Sequence, residues 1–384
     1  MIYQNAMLFN EWFDLVRADL ETEGAGIRRI GASLDGGDAA DCTGCLLVPG
    51  FVDLHIHGCR GADTCDATRE ALETMASFLL TKGVTSFCPT TMTVSEEEIC
   101  RALRNVQGCM ARPVRGARIL GVNMEGPFLS EKRRGAQKAA YVREPDFDSF
   151  RRWFDGCGGI VKLVDIAPER PGAESFVRQA APLCTVSLAH SEAGYEEASR
   201  AFSWGISHVT HLCNAMTGFA HRAPGAVGAA LDSDTVQAEL ICDGLHIHPA
   251  ALRILFRALG EDRTIVISDA MRAAGQADGP SELGGQPVFV KDGQARLADG
   301  TLAGSTANLH QELKNLVAFG VPLRQAVKSV SLNPARALRE EGRVGSLAPG
   351  KLADFVALDA RSLDIRFVVK DGRLAVKEGV LLEP

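Results

Sequence analysis

Apolar and polar positions change rhythm twice along this chain. Over residues 1–48, short apolar runs of strand character are broken by turn residues such as Asp35-Gly36-Gly37-Asp38, a pattern that predicts β-hairpins. Residues 343–384 repeat it, with Lys370-Asp371-Gly372 as a hairpin turn. Between them, apolar runs at 51–57, 85–89, 118–125, 160–167, 185–190, 208–211, 236–243 and 264–269 alternate with amphipathic stretches such as 69–82, 96–106, 171–181, 196–204 and 249–259. Strands alternating with helices eight times predict an α/β fold, a (β/α)8 TIM-type barrel over 49–342. The two ends, 1–48 and 343–384, are expected to join in one small β-sandwich domain. A doubly wound open sheet is the competing architecture. It usually carries a Gly-x-Gly-x-x-Gly turn after its first strand, and none is present here.

At 384 residues the chain suits one large domain plus a smaller one. Hydrophobic residues at 46% and charged residues at 23% are ordinary for a soluble globular protein. A formal charge of -7 without a basic stripe or helix argues against nucleic-acid and membrane partners, while leaving room for one local anion site. Met1-Ile2-Tyr3-Gln4-Asn5-Ala6 opens no signal-like segment, and no apolar run is long enough to span a bilayer. With 11 cysteines, an odd number, the chain reads as cytoplasmic with reduced thiols. Cys42-x-x-Cys45 has no second pair downstream and reads as thiols before a structural zinc site, as do Cys59 and Cys65.

The chemistry lies at the ends of the apolar runs. His55 and His57 are spaced i, i+2, so a strand places both on one face. The closing positions of the later runs hold Glu125, His190, His211 and Asp269, and His246 follows the seventh. In a barrel these positions meet at the C-terminal rim, where active sites are built. Burying one unpaired ionised group costs several kcal/mol, so this many at one rim is explained by a bound cation. Imidazole with carboxylate suits Zn or Fe(II) better than Ca or Mg. The implied reaction is metal-assisted hydrolysis. Asp269 reads as a general base that later returns the proton to a leaving amine, with a helix N-cap as its plainer role. Lys162 could be a carboxylated bridge between two metals, but it stands near the start of its run, at the wrong end of a barrel, and reads as structural. Residues 271–285, rich in glycine and poor in apolar residues, read as a mobile lid or a plain surface loop.

Two segments bracket the barrel: Pro49-Gly50-Phe51-Val52-Asp53-Leu54-His55-Ile56-His57-Gly58 and Gly345-Ser346-Leu347-Ala348-Pro349-Gly350-Lys351-Leu352-Ala353-Asp354. Together they resemble the amidohydrolase superfamily. Asn123-Met124-Glu125-Gly126-Pro127-Phe128, His208-Val209-Thr210-His211-Leu212-Cys213-Asn214-Ala215-Met216, Asp243-Gly244-Leu245-His246 and Leu302-Ala303-Gly304-Ser305 narrow this. Over essentially the whole chain they resemble the N-acetylglucosamine-6-phosphate deacetylase family.

The resemblance implies removal of an acetyl group from an amino-sugar 6-phosphate. It implies that Glu125, His190 and His211 hold the principal metal, that Asp269 is the general base and then acid, and that His246 stabilises the oxyanion. It further implies that Asn214 and Ala215 meet the substrate phosphate with Arg222 as charge partner, and that Gly126 and Leu302 also contact substrate. Because the first-strand histidine pair is present, a second metal is expected on His55, His57, Glu125 and Asp269. The family implies a homodimer, with His248 and Arg253 as candidates for completing a neighbour's phosphate site. Arg222 as a solvated loop charge, and His248 with Arg253 as an ordinary helix N-terminus, are the plainer alternatives. For the whole chain, the alternatives are the galactosamine epimer as substrate, an amidohydrolase of cyclic amides or N-acetyl amino acids, and a non-enzymatic metal-binding scaffold. A serine nucleophile is disfavoured, since there is no Gly-x-Ser-x-Gly elbow.

Overall fold

The computed structural model describes residues 1–383. Eight parallel strands form the central sheet in chain order: Phe51–Ile56, Val84–Thr91, Val122–Phe128, Val161–Ile166, Thr185–Leu188, His208–Val209, Gln237–Leu240 and Thr264–Val266. The expected strand at 118–125 is split, with Arg118–Ile119 pairing separately to the second strand. Backbone bonds just past the eighth strand close the barrel. The Asp269 N–H donates to the His55 carbonyl (3.0 Å) and the His57 N–H to the Ala270 carbonyl (2.9 Å). Asp53 adds a side-chain staple, accepting from Ser268 Oγ at 2.6 Å, and burial pushes its carboxyl up to about 7.

The helices follow from local pattern. Arg69–Thr81 begins where Thr68 Oγ1 accepts from the Ala71 N–H, and it buries Leu72, Met75, Ala76 and Leu79, the i, i+3, i+4, i+7 stripe of a surface helix. Glu96–Ala111 opens on a capping box of Ser95 and Glu98, legible as Ser-x-x-Glu. Inside the barrel, Leu163, Ile241, Ile265 and Ile267 pack with Ala335 and Leu338 of the closing helix Leu332–Ala337 and its C-cap. That end is filled, so an open polar site can form only at the opposite, C-terminal rim.

Both chain ends meet in one nine-stranded mixed sheet. Cys45–Pro49 is its hinge strand, parallel to Ile2–Phe9 and antiparallel to Phe355–Asp359. Strand alternation splits its side chains. Leu46 and Val48 join the main core, while Cys45 and Leu47 join a separate core with Leu8, Leu20, Phe355 and Val369. Cys42 lies in that second core, where burial pushes its thiol up to about 12. Gly50 carries the chain from sheet to barrel, and a Cβ there would lie 2.1 Å from Thr85 Oγ1.

Residues 271–285 are not loop throughout. Gly279–Leu283 pairs with Gln286–Lys291, which pairs with Gln294–Arg296, in a three-stranded antiparallel sheet inserted after the eighth strand. Gly279–Leu283 has no apolar alternation of its own. Its partner supplies the buried Val288 and Val290, so pairing decides the strand where propensity does not. Lys162 lies away from the rim and pairs with Glu340 at 2.7 Å. Among the described residues, no helix is long and apolar enough to cross a membrane.

Candidate metal centre and its cavity

At the C-terminal rim, the strand-end residues converge on one carboxylate. Glu125 Oε1 lies 2.9 Å from His190 Nε2 and 3.0 Å from His211 Nε2, and its Oε2 lies 3.1 Å from His57 Nε2. Asp269 Oδ1 is 3.3 Å from His57 Nε2 and 3.6 Å from His55 Nε2. Two groups have the spacing of a cation site, His55–His57–Glu125 and Glu125–His190–His211, and they share Glu125. All six side chains are buried.

The backbone turns these side chains inward. His190, His211 and Asp269 have φ of 44°, 31° and 45°, left-handed conformations that cost non-glycine residues energy and that cluster at functional sites. Each stands just past the end of its strand, where the chain must bend over the rim. The Leu302-Ala303-Gly304-Ser305 segment backs Asp269, with the Ser305 N–H donating to the Asp269 carbonyl at 2.7 Å.

The tautomers argue for a cation. His190 Nδ1 donates to the Arg133 carbonyl (2.8 Å), His57 Nδ1 to the Thr90 carbonyl (3.3 Å) and His55 Nδ1 to Glu239 (3.0 Å). With Nδ1 carrying a proton, Nε2 is the nitrogen turned toward the carboxylate oxygens, and in the neutral ring its lone pair is free to ligate a cation. Without a metal that nitrogen takes a second proton and pairs with the carboxylates, and a divalent cation can stand in the proton's place. His55 Nε2, buried without a hydrogen-bond partner, fits the same reading. With protein groups alone, burial pulls the His57 imidazole down, but Asp269 and Glu125 carry it up to about 10. Burial raises the Glu125 carboxyl, yet His190, His211 and His57 hold it well below its ordinary range. Asp269, also raised by burial, ends lowered by His57 and His55, so it stands as the carboxylate that a base must be.

A cavity of about 440 Å³ opens above the cluster. His57, Glu125, His190, His211 and Asp269 form its floor. Asn214, Ala215, His246 and Leu302 stand on its wall, with Leu283, Asp299 and Thr301 of the inserted segment and the run Lys132-Arg133-Arg134 also lining it. Asp243 Oδ2 accepts from His246 Nδ1 at 2.7 Å. Burial lowers the His246 imidazole and Asp243 more than offsets it, so its pKa ends raised. Gly126 does not line the cavity. It holds φ at 90°, and a Cβ there would meet Thr93 Oγ1 at 2.2 Å. Arg222, His248 and Arg253 also lie outside it. Arg222 is exposed on a loop, His248 caps Pro249–Arg263, and Arg253 donates to the Phe319 carbonyl.

Three contributors escaped the sequence reading. Gln137 Nε2 donates to Glu125 Oε2 at 2.5 Å while its Oε1 accepts from the Thr93 N–H. Its one sequence signal is its place shortly after the Glu-Gly-Pro segment. Lys132-Arg133-Arg134 is a visible basic run that brings positive charge to the cavity of an acidic protein. Glu239 lies inside the seventh strand, where an apolar residue is expected.

The model of the amidohydrolase family matches residues 46–375. The N-acetylglucosamine-6-phosphate deacetylase of Bacillus subtilis (strain 168) is 40% identical over 82% of this chain and 81% of its own length. The N-acetylgalactosamine-6-phosphate deacetylase of Escherichia coli O157:H7 is 36% identical over 86% of this chain and 88% of its own. Among solved structures, a mutant N-acetyl-D-glucosamine-6-phosphate deacetylase from Mycobacterium smegmatis, in complex with N-acetyl-D-glucosamine 6-phosphate, superposes with a TM-score of 0.91. It is 33% identical, and the match covers 97% of this chain and 98% of that one.

Proposed function

The chain belongs to the amidohydrolase family, and from that membership and the cavity we propose that it is a metal-dependent deacetylase of N-acetyl-D-glucosamine 6-phosphate, releasing D-glucosamine 6-phosphate and acetate. The observation that carries this reading is Glu125, shared by the two imidazole groups on the floor of a cavity that also holds Asp269 and His246. Glu125, His190 and His211 are read as one cation site, and His55, His57, Glu125 and Asp269 as a second. Zn or Fe(II) suits such donors. A divalent cation there supplies Lewis acidity, polarising an amide carbonyl and easing deprotonation of water.

The chain's own groups then divide the work. Asp269 takes the proton of the attacking water as the new C–O bond forms. It returns that proton to the amide nitrogen as the C–N bond breaks, so acetate and a free amine leave. His246 is read as the donor to the acetyl oxygen. Asp243 occupies Nδ1–H, so only the imidazolium carries an N–H at Nε2, and Asp243 is also what raises the imidazole's pKa. Asn214 and Ala215, with Lys132-Arg133-Arg134 nearby, are read as the phosphate end.

His246→Ala is expected to lower kcat by about 10²–10³ with little change in KM, the signature of a lost transition-state donor. An unchanged kcat would remove His246 from the mechanism. The reading as a whole is tested by acetate release from N-acetylglucosamine 6-phosphate, its galactosamine epimer and unphosphorylated N-acetylglucosamine. Turnover of the first alone is expected. Preference for the epimer would change the substrate and keep the mechanism. Equal turnover of the unphosphorylated sugar would discard the phosphate end.

A further inference from the structure

A carboxylate is buried in the barrel interior beneath the site, on the seventh strand, and the mechanism above does not use it. Glu239 is 0% exposed. Its Oε2 accepts from His55 Nδ1 at 3.0 Å and from the His211 backbone N–H at 3.1 Å. One oxygen thus reaches one residue from each of the two candidate cation groups. Its Oε1 lies 3.7 Å from His208 Nε2, and both atoms are buried without a hydrogen-bond partner. His208 Nδ1 is tied to Ser187 Oγ (2.9 Å), Ser187 to Thr210 Oγ1 (2.6 Å), and Thr210 donates to Asp165 Oδ1 (2.8 Å).

Packing does not explain Glu239. Barrel interiors fill with branched apolar side chains, and a buried carboxylate costs several kcal/mol unless it is paired. Among the described residues no lysine or arginine reaches it; its charged side-chain neighbours are imidazoles. A histidine that ligates a cation is different. Its Nδ1–H becomes a stronger donor, and a carboxylate behind it fixes tautomer and ring angle and raises the basicity of the ligating nitrogen.

We propose that Glu239 is a positioning residue for the cation centre, holding His55 by Nδ1 so that Nε2 faces Glu125 and Asp269, and anchoring the strained His211 backbone with the same oxygen. This rests on the reading of His55 as a ligand of the second cation. The buried chain through His208, Ser187, Thr210 and Asp165 lies behind the other oxygen, with His208 Nε2 3.7 Å away and not hydrogen-bonded to it.

The test is a titration of metal-free protein with cobalt(II), followed by its d–d absorption and by metal analysis. It uses wild type, Glu239→Gln, Glu239→Leu and His55→Asn. Wild type is expected to bind two equivalents and His55→Asn one. Glu239→Gln keeps the size and an acceptor oxygen and removes only the charge. It is expected to weaken the second equivalent about 10- to 100-fold and shift its absorption, with an unchanged thermal midpoint. Glu239→Leu is expected to lose that equivalent, and if it does not fold, Glu239→Gln decides alone. Wild-type affinity and spectrum in Glu239→Gln would overturn the proposal. A single equivalent in wild type itself would overturn the two-site reading, and the proposal with it, before any variant is compared.

Discussion

Asp269→Asn is expected to lower acetate release by about 10²–10⁴, the range of a lost general acid–base, while the folded chain still binds a cation. The replacement is nearly isosteric. The backbone bond from Asp269 N–H to the His55 carbonyl, which helps close the barrel, is untouched, as is the bond from Ser305 to the Asp269 carbonyl. The Glu125–His190–His211 group does not include Asp269. What is lost is basicity, because an amide cannot take a proton from water near neutral pH. The wild-type carboxyl is raised by burial and lowered more by His57 and His55, so it is ionised and ready to accept. Steady-state kinetics beside metal analysis separate the two roles. A kcat within tenfold of wild type with metal bound would remove Asp269 as the base.

Glu125→Gln is expected to abolish measurable turnover and to strip metal from both groups, since this one side chain belongs to each. A cation supplies several kcal/mol of transition-state stabilisation in such hydrolyses, and each 1.4 kcal/mol is a factor of ten, so the loss is on the order of 10³ or more. The fold should survive. A glutamine can still hydrogen-bond His190 Nε2 and His211 Nε2, which now face a carboxylate at 2.9 and 3.0 Å. Removing one partner of a buried charged pair is destabilising, and Glu125 is such a partner of His57, although Asp269 stays beside that imidazole. The metal-free variant should therefore fold but melt below metal-free wild type. Metal content equal to wild type would refute Glu125 as the shared ligand.

Much of this architecture was legible from periodicity. The eight runs, the helices between them and the β character of both ends all answer to local rules, in which side chains two apart share a strand face and side chains three or four apart share a helix face. The floor of the cavity was legible for the same reason. A barrel brings every strand's C-terminal end to one rim, so His55, His57, Glu125, His190, His211 and Asp269 could be grouped by position in their runs alone. Less legible were groups whose role depends on a partner far away in the chain. Gln137 looks like any loop glutamine until it donates to Glu125. The strand Gly279–Leu283 lacks a pattern of its own and exists because Gln286–Lys291 lies beside it. Arg222 lies outside this chain's cavity, as do His248 and Arg253, whose expected place is a neighbour's phosphate site.

The sequence by itself determined the order of elements, the rim at which ionisable groups gather and the donor chemistry offered to a cation. Tertiary structure alone decided which nitrogen of His55, His57 and His190 is turned to the carboxylates, and that Glu239, 184 residues from His55 in the chain, stands behind His55. The physical reason is range. Periodicity reports which way a side chain faces within its own element, whereas a hydrogen bond depends on tenths of an ångström between atoms that only the closed barrel brings together.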